Sequence, residues 1–357
     1  MTEDVYIIGR GLVTPVGDTP EGVFRAVREG RSALKPYADT AETYWASRLD
    51  RSGFTGDSFF EYIALEAARK AIQEAGIDPA EAGFILSTIK GDIEHLGSRD
   101  VSLAASASNI ANALGVKAKP VVVSNACISG LAAMVQGMRM LRAGLYKHVI
   151  VVGAELQSRF IVTGFQSLKA LSQQPCKPFD AARDGLNPGE AAAAVVLSGQ
   201  PAPWQLVAGA VRNDANHISG PSRTGEGSYN ALKAVLPYVA KEDLAFVNVH
   251  GTATRYNDEM EAIALDRAGL LDVPINSLKG VFGHTMGAAG ILECLVSMQA
   301  LEAGIVLPTR GFKELGVSLP VKVSADERAV KGSAFIKLLS GFGGVNGAML
   351  LRKGGEQ

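Results

Sequence analysis

The chain has 357 residues, of which 47% are hydrophobic and 20% charged, a balance typical of a globular protein with a large buried core. Its formal net charge of −1 shows no basic excess, so we predict neither nucleic-acid binding nor attachment to a membrane surface. The first residues lack the pattern of a signal peptide, and no apolar run reaches the ~18–20 residues of a membrane span. We therefore expect a cytoplasmic protein.

The sequence contains three cysteines, Cys127, Cys176 and Cys294. Their odd number and wide spacing argue against a disulfide framework and against a cysteine-rich metal site. Cys176 and Cys294 have no partner at a useful spacing, so we predict that neither is catalytic.

Residues 59–75 show the periodicity of a helix, and Gly76 stands where a C-terminal cap belongs. The predicted apolar stripe of this helix comprises Tyr62, Leu65, Ala68 and Ile72. Residues 32–58, which precede it, are irregular and mix Pro, Tyr, Trp and charged residues. We expect a surface or interface excursion there.

Short apolar runs alternate with the helical patterns and suit buried strands. They are residues 5–8, 83–88, 121–123 and 149–153. Near-continuous apolar strands between helices predict an α/β fold whose sheet is covered on both faces.

The chain also shows a weak internal repeat. The matching segments are 5–10 with 205–210, 84–89 with 246–251, 130–144 with 290–304, and 192–197 with 346–351. Chance similarity is an alternative, because few residues are identical. Four matches in the same order favour duplication. We predict two similar halves, residues 1–200 and 201–357, related by a pseudo-two-fold axis.

Cys127 follows a buried strand and a turn of small residues, Ser-Asn-Ala, and precedes a helical pattern. The predicted apolar stripe of that helix is Leu131, Met134, Met138, Leu141 and Leu145. The unpaired N–H groups and the dipole of a helix N-terminus favour a thiolate, which is how a nucleophilic cysteine is made. A small, inert, buried cysteine at a strand–helix junction explains the same context.

Two histidines lie in glycine-rich contexts. His250 ends an apolar strand before Gly-Thr-Ala-Thr, at the place where α/β proteins carry functional groups. His284 opens the helix that the repeat pairs with the Cys127 helix. The pseudo-symmetry would bring both helix N-termini together, and a helix N-terminus favours a neutral imidazole. A structural histidine and a packing helix are the alternatives.

The segment Ser340-Gly-Phe-Gly-Gly-Val-Asn-Gly347 precedes a terminal strand. So many glycines indicate a tight turn whose N–H groups are directed at a hydrogen-bond acceptor. An oxyanion is one candidate, and an ordinary hairpin turn is the alternative.

In this order, the motifs resemble those of the elongating β-ketoacyl-acyl-carrier-protein synthases of the thiolase-like superfamily. The resemblance rests on the Cys127 turn, His-Gly-Thr-Ala-Thr at 250–254, Lys279 with Gly-His-Thr-Met-Gly-Ala-Ala-Gly at 283–290, and Gly-Phe-Gly-Gly-Val-Asn at 341–346. Residues 8–17, 177–185 and 189–190 also fit. The resemblance covers nearly the whole chain and implies a duplicated thiolase-like fold, five-layered α-β-α-β-α.

The resemblance implies a decarboxylative Claisen condensation of an acyl thioester with malonyl-acyl carrier protein, which extends a fatty-acid, polyketide or polyene chain. The acyl groups would arrive on the phosphopantetheine of the acyl carrier protein, with no other cofactor and no metal. It also implies a dimer, either a homodimer or a heterodimer with a chain-length-factor-like subunit.

The resemblance also implies a role for each residue of the motifs. Cys127 accepts the acyl chain, and its N–H and that of Phe342 form an oxyanion hole; Phe342 also gates the acyl pockets. His250 and His284 bind the malonyl thioester carbonyl and assist decarboxylation.

Lys279 would pair with Glu261 and hold the histidine region in place. The alternative for Lys279 is a solvated surface lysine. The alternative for Glu261 is one carboxylate among several on an acidic helix face.

The chain departs from the family in two ways. It is shorter than typical members, with the shortfall around residues 32–58, and Ala191 replaces a usual glycine. These departures suggest a specialised pathway such as polyketide or polyene assembly.

Three other protein classes compete with the elongating synthases as interpretations of these motifs. A starter-unit synthase or a thiolase keeps a nucleophilic cysteine in the same fold, but the histidine of the 283–290 motif favours the elongating class. A non-catalytic, chain-length-determining partner subunit is the alternative from another class. The presence of Cys127 with both histidines argues against it.

Overall fold

The computed structural model describes residues 4–40, 42–216, 220 and 222–354. The helices are α1 (Pro20–Arg28), α2 (Phe59–Ala75), α3 (Leu103–Ala113), α4 (Ser129–Arg142), α5 (Arg159–Ser167), α6 (Glu226–Val235), α7 (Arg255–Arg267), α8 (Lys279–Phe282) and α9 (Ala289–Glu302). No helix within these described ranges is long and apolar enough to cross a membrane.

The strands differ widely in length, from two residues to ten. They are β1 (Tyr6–Val13), β2 (Leu34–Tyr37), β3 (Tyr44–Ser47), β4 (Gly83–Ser87), β5 (Val121–Val123), β6 (His148–Glu155), β7 (Ala191–Ser198), β8 (Trp204–Asn213), β9 (Leu244–Asn248), β10 (Pro274–Asn276), β11 (Ile305–Val306), β12 (Lys322–Val323), β13 (Arg328–Ala329), β14 (Ala334–Gly341) and β15 (Val345–Lys353).

One long sheet has the order β12-β10-β9-β14-β15-β8-β1-β7-β6-β4-β5. Two sets of five strands, β5-β4-β6-β7-β1 and β10-β9-β14-β15-β8, run toward the middle of the sheet, and β12 lies outside β10. Within each set the order is the third, second, fourth, fifth and first strand in the chain. Parallel and antiparallel neighbours also match between the sets. The sets meet where β1 and β8 pair at Tyr6↔Gln205 and Ile7↔Trp204. The boundary at residue 200, between β7 and β8, stays a prediction.

The helices form three layers around the two strand sets. The outer helices α2 and α3 cover the first set, and α6 and α7 cover the second. Between the sets, α4 and α9 have 14 residues each and begin at Ser129 and Ala289, the predicted offset of 160. The result is the expected five-layered α-β-α-β-α arrangement of the thiolase-like fold.

Helix α2 has the predicted bounds, with Ser58 as N-cap and Gly76 in the left-handed conformation. Its predicted apolar stripe was wrong at Tyr62, which is exposed, whereas Ala68 is buried and Leu65 and Ile72 are half-buried against the core. The fully buried face carries Phe60, Ile63 and several alanines. The reason lies in β1. A Cβ on Gly9 or Gly11 would stand 2.0 Å from a carbonyl oxygen of α2, so small residues on both elements allow this close packing.

Residues 32–58 are not merely a surface excursion. They contain the hairpin β2–β3, in which Tyr44 and Ala46 are buried. The Ser47 N–H donates to the Pro188 carbonyl at 3.0 Å, and the Glu190 N–H donates to the Ser47 carbonyl at 2.8 Å. The hairpin therefore packs on the segment that precedes β7, beside the elements that carry the site.

Candidate active site

Cys127 lies in the turn between β5 and α4. Ala126 has a φ of 47°, and the Ser129 hydroxyl accepts the Asn125 N–H at 2.7 Å, which fixes the turn. A non-glycine residue in the left-handed region is held there at a cost of ~1–3 kcal/mol, and such strain is concentrated at functional sites. The turn presents a largely buried Cys127 side chain to a cavity, directly before α4.

The apolar stripe of α4 is confirmed for four of its five predicted residues. Leu131, Met134, Met138 and Leu141 are buried. Leu145 is 64% exposed, since α4 ends at Arg142 and the stripe does not reach that far.

His250 follows β9, and Glu261 of α7 fixes its backbone. The two carboxylate oxygens of Glu261 accept the N–H groups of His250 at 2.6 Å and Gly251 at 2.7 Å. Asn257 donates to the same carboxylate at 2.9 Å. Burial raises the pKa of Glu261 to about 7. Glu261 therefore holds the turn that carries His250.

His284 lies between α8 and a 3₁₀ turn at Met286–Ala288. The prediction that it opens a helix was wrong, because α9 begins five residues later at Ala289. Its N–H donates to the Asn187 carbonyl at 2.7 Å, and its Nδ1 accepts the Met286 N–H at 3.2 Å. Nε2 therefore carries the imidazole proton, and it has no hydrogen-bond partner among the described residues.

The structure brings the three predicted side chains together. Ligand-type atoms of Cys127, His250 and His284, one from each, all lie within 4.8 Å of one another. The two imidazole rings are nearly perpendicular, with centroids 4.9 Å apart. This set could hold a metal ion, and it can equally surround a reacting thioester.

Both imidazoles are neutral. Burial lowers the pKa of His250 and of His284 well below the ordinary value, and the nearby Lys279 ammonium lowers both further. The lowered pKa values agree with the expected neutral state, but their main cause is burial rather than a helix dipole. Neutral N–H donors can stabilise a developing negative charge without repelling a cationic neighbour.

Cys127 differs from the expectation of a stabilised thiolate. Burial raises its pKa to about 11, although Lys279 and the backbone N–H of Phe342 act in the opposite direction. Desolvation therefore outweighs the favourable contacts, and the resting side chain is a thiol.

The glycine turn lies beside Cys127. A Cβ on Gly341 would stand 3.0 Å from the Cys127 nitrogen, so glycine allows this approach. Phe342 follows β14, is 39% exposed, and its ring lies 6.1 Å from that of Phe165. Gly343 and Gly344 complete the turn with φ values of 88° and 74°.

Lys279 is buried, but its predicted partner was wrong. It pairs with Glu293 of α9, whereas both oxygens of Glu261 are occupied by backbone N–H groups. The other oxygen of Glu293 pairs with Lys337 of β14. Sequence reasoning missed Lys337 and Glu293. The available signal was a single charged residue inside each of two apolar runs.

Glu155 is a third functional-site residue that sequence reasoning missed. It ends β6 fully buried and accepts the N–H groups of Ile89 at 2.9 Å and Gly287 at 3.0 Å. Burial raises its pKa to about 7. This side chain ties the first strand set to the turn that follows His284.

A cavity of about 550 Å³ opens onto these groups. Cys127, His250 and His284 line it together with Phe342 and Leu168. Thr252, Thr254 and Tyr256 line another part of the wall, and Tyr256 is 79% exposed. The site thus has a buried reactive end and an open mouth, which suits a reactive group on a long arm.

Comparison with known proteins agrees with this geometry. The models of the beta-ketoacyl synthase N-terminal and C-terminal domains match residues 57–201 and 205–313. This chain belongs to the β-ketoacyl synthase family. It is an acyltransferase of the β-ketoacyl-acyl-carrier-protein synthase type, as the resemblance implied.

Relatives in this family act in more than one kind of synthesis. The 3-oxoacyl-[acyl-carrier-protein] synthase 2 of Vibrio cholerae is 27% identical over 98% of this chain and 99% of its own. The ketoacyl synthase alpha subunit of the tetracenomycin polyketide synthase of Streptomyces glaucescens is 28% identical over 98% and 92%. The Vibrio alignment spans 412 positions, so that relative carries segments that these 357 residues lack.

Solved structures share the fold along the whole chain. A beta-ketoacyl synthase from Burkholderia phymatum has a TM-score of 0.86 and 26% identity, covering 99% of this chain and 100% of its own. A ketosynthase in complex with its chain length factor from Xenorhabdus doucetiae has a TM-score of 0.87 and 22% identity, covering 98% of each chain.

Proposed function

We propose that Cys127, His250 and His284 carry out the decarboxylative condensation of an acyl group with a malonyl group, both delivered as thioesters on acyl carrier protein. The observation that carries the proposal is the meeting of one buried thiol and two neutral imidazoles at the end of a cavity. The acyl chain that is extended belongs to a fatty acid, a polyketide or a polyene.

The first half-reaction loads Cys127. The Cys127 sulfur attacks the acyl thioester carbonyl, the carbon–sulfur bond to the carrier breaks, and the thiol proton passes to the departing carrier thiolate. The backbone N–H groups of Cys127 and Phe342 both act on the Cys127 sulfur and would stabilise the oxyanion. Loss of one such donor typically costs ~10²–10³ in rate.

The second half-reaction uses the two imidazoles. His284 Nε2–H and His250 donate to the thioester carbonyl oxygen of the malonyl group, the bond to its carboxylate breaks, and CO₂ leaves with the electron pair remaining as an enolate. The enolate carbon attacks the Cys127 thioester and forms the new carbon–carbon bond. The β-ketoacyl carrier departs, and the released Cys127 thiolate takes a proton from solvent.

Glu261, Lys279 and Glu293 position these groups. Glu261 holds the backbone of His250 through two N–H groups, and Lys279 bonds to Glu293 close to His284. We propose no metal and no cofactor beyond the phosphopantetheine arm of the carrier.

The proposed partners are acyl carrier protein and a second subunit. Neighbours of the same fold include a ketosynthase with its chain length factor and a polyketide ketosynthase with its acyl carrier protein. A homodimer or a heterodimer with a chain-length-factor-like subunit fits this chain. Its three free cysteines suit the reducing cytoplasm.

A non-catalytic partner subunit is the alternative. Such a subunit needs the fold but not the reactive groups. The complete set of Cys127, His250 and His284 at one cavity end argues for catalysis.

Intact-protein mass spectrometry tests the proposal. The protein is mixed with acyl-loaded carrier protein, alone and with a co-expressed candidate partner, beside Cys127→Ala. We expect an acyl mass gain in the wild type and none in the variant. Saturated and polyene acyl groups in parallel identify the preferred chain. No gain, even with the partner present, would favour the non-catalytic alternative.

A further inference from the structure

Lys337 is a fully buried lysine in the middle of β14. Its Nζ donates to Asn248 Oδ1 at 2.6 Å, to the Val249 carbonyl at 3.1 Å and to the Glu293 carboxylate. An ammonium has three donors, and all three are satisfied here. An unpaired buried ammonium would be very costly, so this cage of oxygen atoms is what allows a lysine inside the sheet.

The cage joins the segments that carry the two imidazoles. Asn248 and Val249 directly precede His250 in the chain. The Glu293 carboxylate lies between the ammonium groups of Lys337 and Lys279, and Lys279 is five residues before His284. One ammonium thus contacts the strand end that carries His250 and the carboxylate that anchors the His284 segment.

The charges of this cluster do not cancel. Glu293 supplies one negative charge between two ammonium groups, and all three side chains are buried. Burial raises the pKa of Glu293, but Lys279 and Lys337 outweigh burial and hold that pKa below its ordinary value. Burial and the Lys279 ammonium lower the pKa of Lys337, and the Glu293 carboxylate opposes this shift, so the ammonium depends on its oxygen cage.

We infer that Lys337 is a positioning residue for the decarboxylation half-reaction. Its ammonium fixes the end of β9 and the Glu293 carboxylate so that the N–H groups of His250 and His284 converge on one oxygen atom. The inference rests on the proposed function. It assigns no role to Lys337 in acyl loading, because its contacts reach neither Cys127 nor the turn at Phe342.

Lys337→Met tests the inference, because methionine resembles the apolar part of the lysine side chain and lacks the ammonium. The matched control is Lys322→Met, at an exposed lysine on β12. Two rates are measured: acylation of Cys127 by loaded carrier, and release of CO₂ from malonyl carrier. For Lys337→Met we expect loading within about 3-fold of the wild type and decarboxylation lower by about 10–100-fold, the size of effect known for removal of a group that orients a metal-binding histidine. Lys322→Met should change neither rate.

Chemical rescue separates positioning from folding. Lys337→Ala leaves a space beside the same oxygen atoms, and ammonium or methylammonium chloride should restore decarboxylation several-fold, whereas tetramethylammonium chloride should not. Equal loss of both rates together with a lower melting temperature, or unchanged decarboxylation, would overturn the inference. A wild type that loads but does not decarboxylate malonyl carrier would instead contradict the proposed function.

Discussion

At the scale of single residues, the site contains a protonated thiol beside two neutral imidazoles. Cys127 is held as a thiol by burial, and His284 has its Nε2 proton fixed by the bond from Met286 to Nδ1. Cys127 is thus protected from side reactions until an acyl thioester occupies the cavity. This protection has a measurable signature in the pH dependence of alkylation.

The alkylation rate of Cys127 should rise about tenfold per pH unit between pH 7 and pH 9 without reaching a plateau. Its pKa of about 11 lies above an ordinary thiol pKa of ~8.5, so at pH 8 only about 0.1% is thiolate. Iodoacetamide labelling with peptide mass analysis measures the rate. The same protein in concentrated urea is the control, and its alkylation rate should begin to level off above about pH 8.5. A plateau below pH 8 in the folded protein would contradict the raised pKa.

Residues within local motifs could be predicted from the sequence, and long-range partners could not. Cys127, His250 and His284 each stand in a short motif that can be read directly from the sequence. The partner of Lys279 depends on which carboxylate the fold brings near. Glu261 stands in the matching motif, but backbone N–H groups already occupy it, so Glu293 takes the lysine.

At the scale of elements, α4 and α9 meet through glycine. A Cβ on Gly290 would stand 2.3 Å from the Leu131 nitrogen, and one on Gly130 would stand 2.8 Å from the Gly287 carbonyl oxygen. The backbones therefore touch at the helix starts, where one helix follows Cys127 and the other follows His284. The distance between thiol and imidazole depends on this contact.

Gly290→Ala should lower both stability and activity. The added methyl group meets backbone rather than a flexible side chain, and overpacking of this kind costs typically ~1–3 kcal/mol. Urea unfolding and the Cys127 loading rate measure the two effects.

Gly164→Ala is the matched control, because a Cβ at Gly164 of α5 has nothing within 4 Å. Alanine in a helix interior is favoured over glycine by ~0.5–1 kcal/mol, so this variant should be neutral or slightly stabilised. Equal behaviour of the two variants would contradict the role assigned to the α4–α9 contact.

The apolar stripe of α2 shows why elements are predicted better than their faces. Helix bounds follow from caps, and both Ser58 and Gly76 are visible in the sequence. The buried face follows from the partner surface, which here is β1 with Gly9 and Gly11. Alanines fit that surface, so the fully buried face is displaced from the predicted stripe, which keeps Ala68 buried and leaves Leu65 and Ile72 at its half-buried border.

At the scale of the whole molecule, the long sheet ends in β5 on one side and β12 on the other. The β5 strand, Val121–Val123, is apolar and half-buried. An apolar edge strand with unpaired backbone groups is a template for pairing with another chain. Cys127 lies only four residues beyond this strand, so a partner at this edge would brace the turn of the nucleophile.

Val122→Lys should therefore weaken the proposed dimer. A charged side chain at the edge opposes strand pairing, and the expected result is a shift from dimer toward a 37.4-kDa monomer in gel filtration with light scattering. Val317→Lys, at another half-buried valine, serves as control. An unchanged dimer in Val122→Lys would place the subunit contact elsewhere.

The division of the reactive groups between the strand sets also bears on protein synthesis. Cys127 leaves the ribosome well before His250 and His284, which belong to the second set. Lys337 and the turn at Phe342 emerge later still, among the last residues of β14 and its hairpin. A nascent chain can therefore expose a thiol but cannot consume malonyl groups, and catalysis begins only after translation of the second strand set is nearly complete.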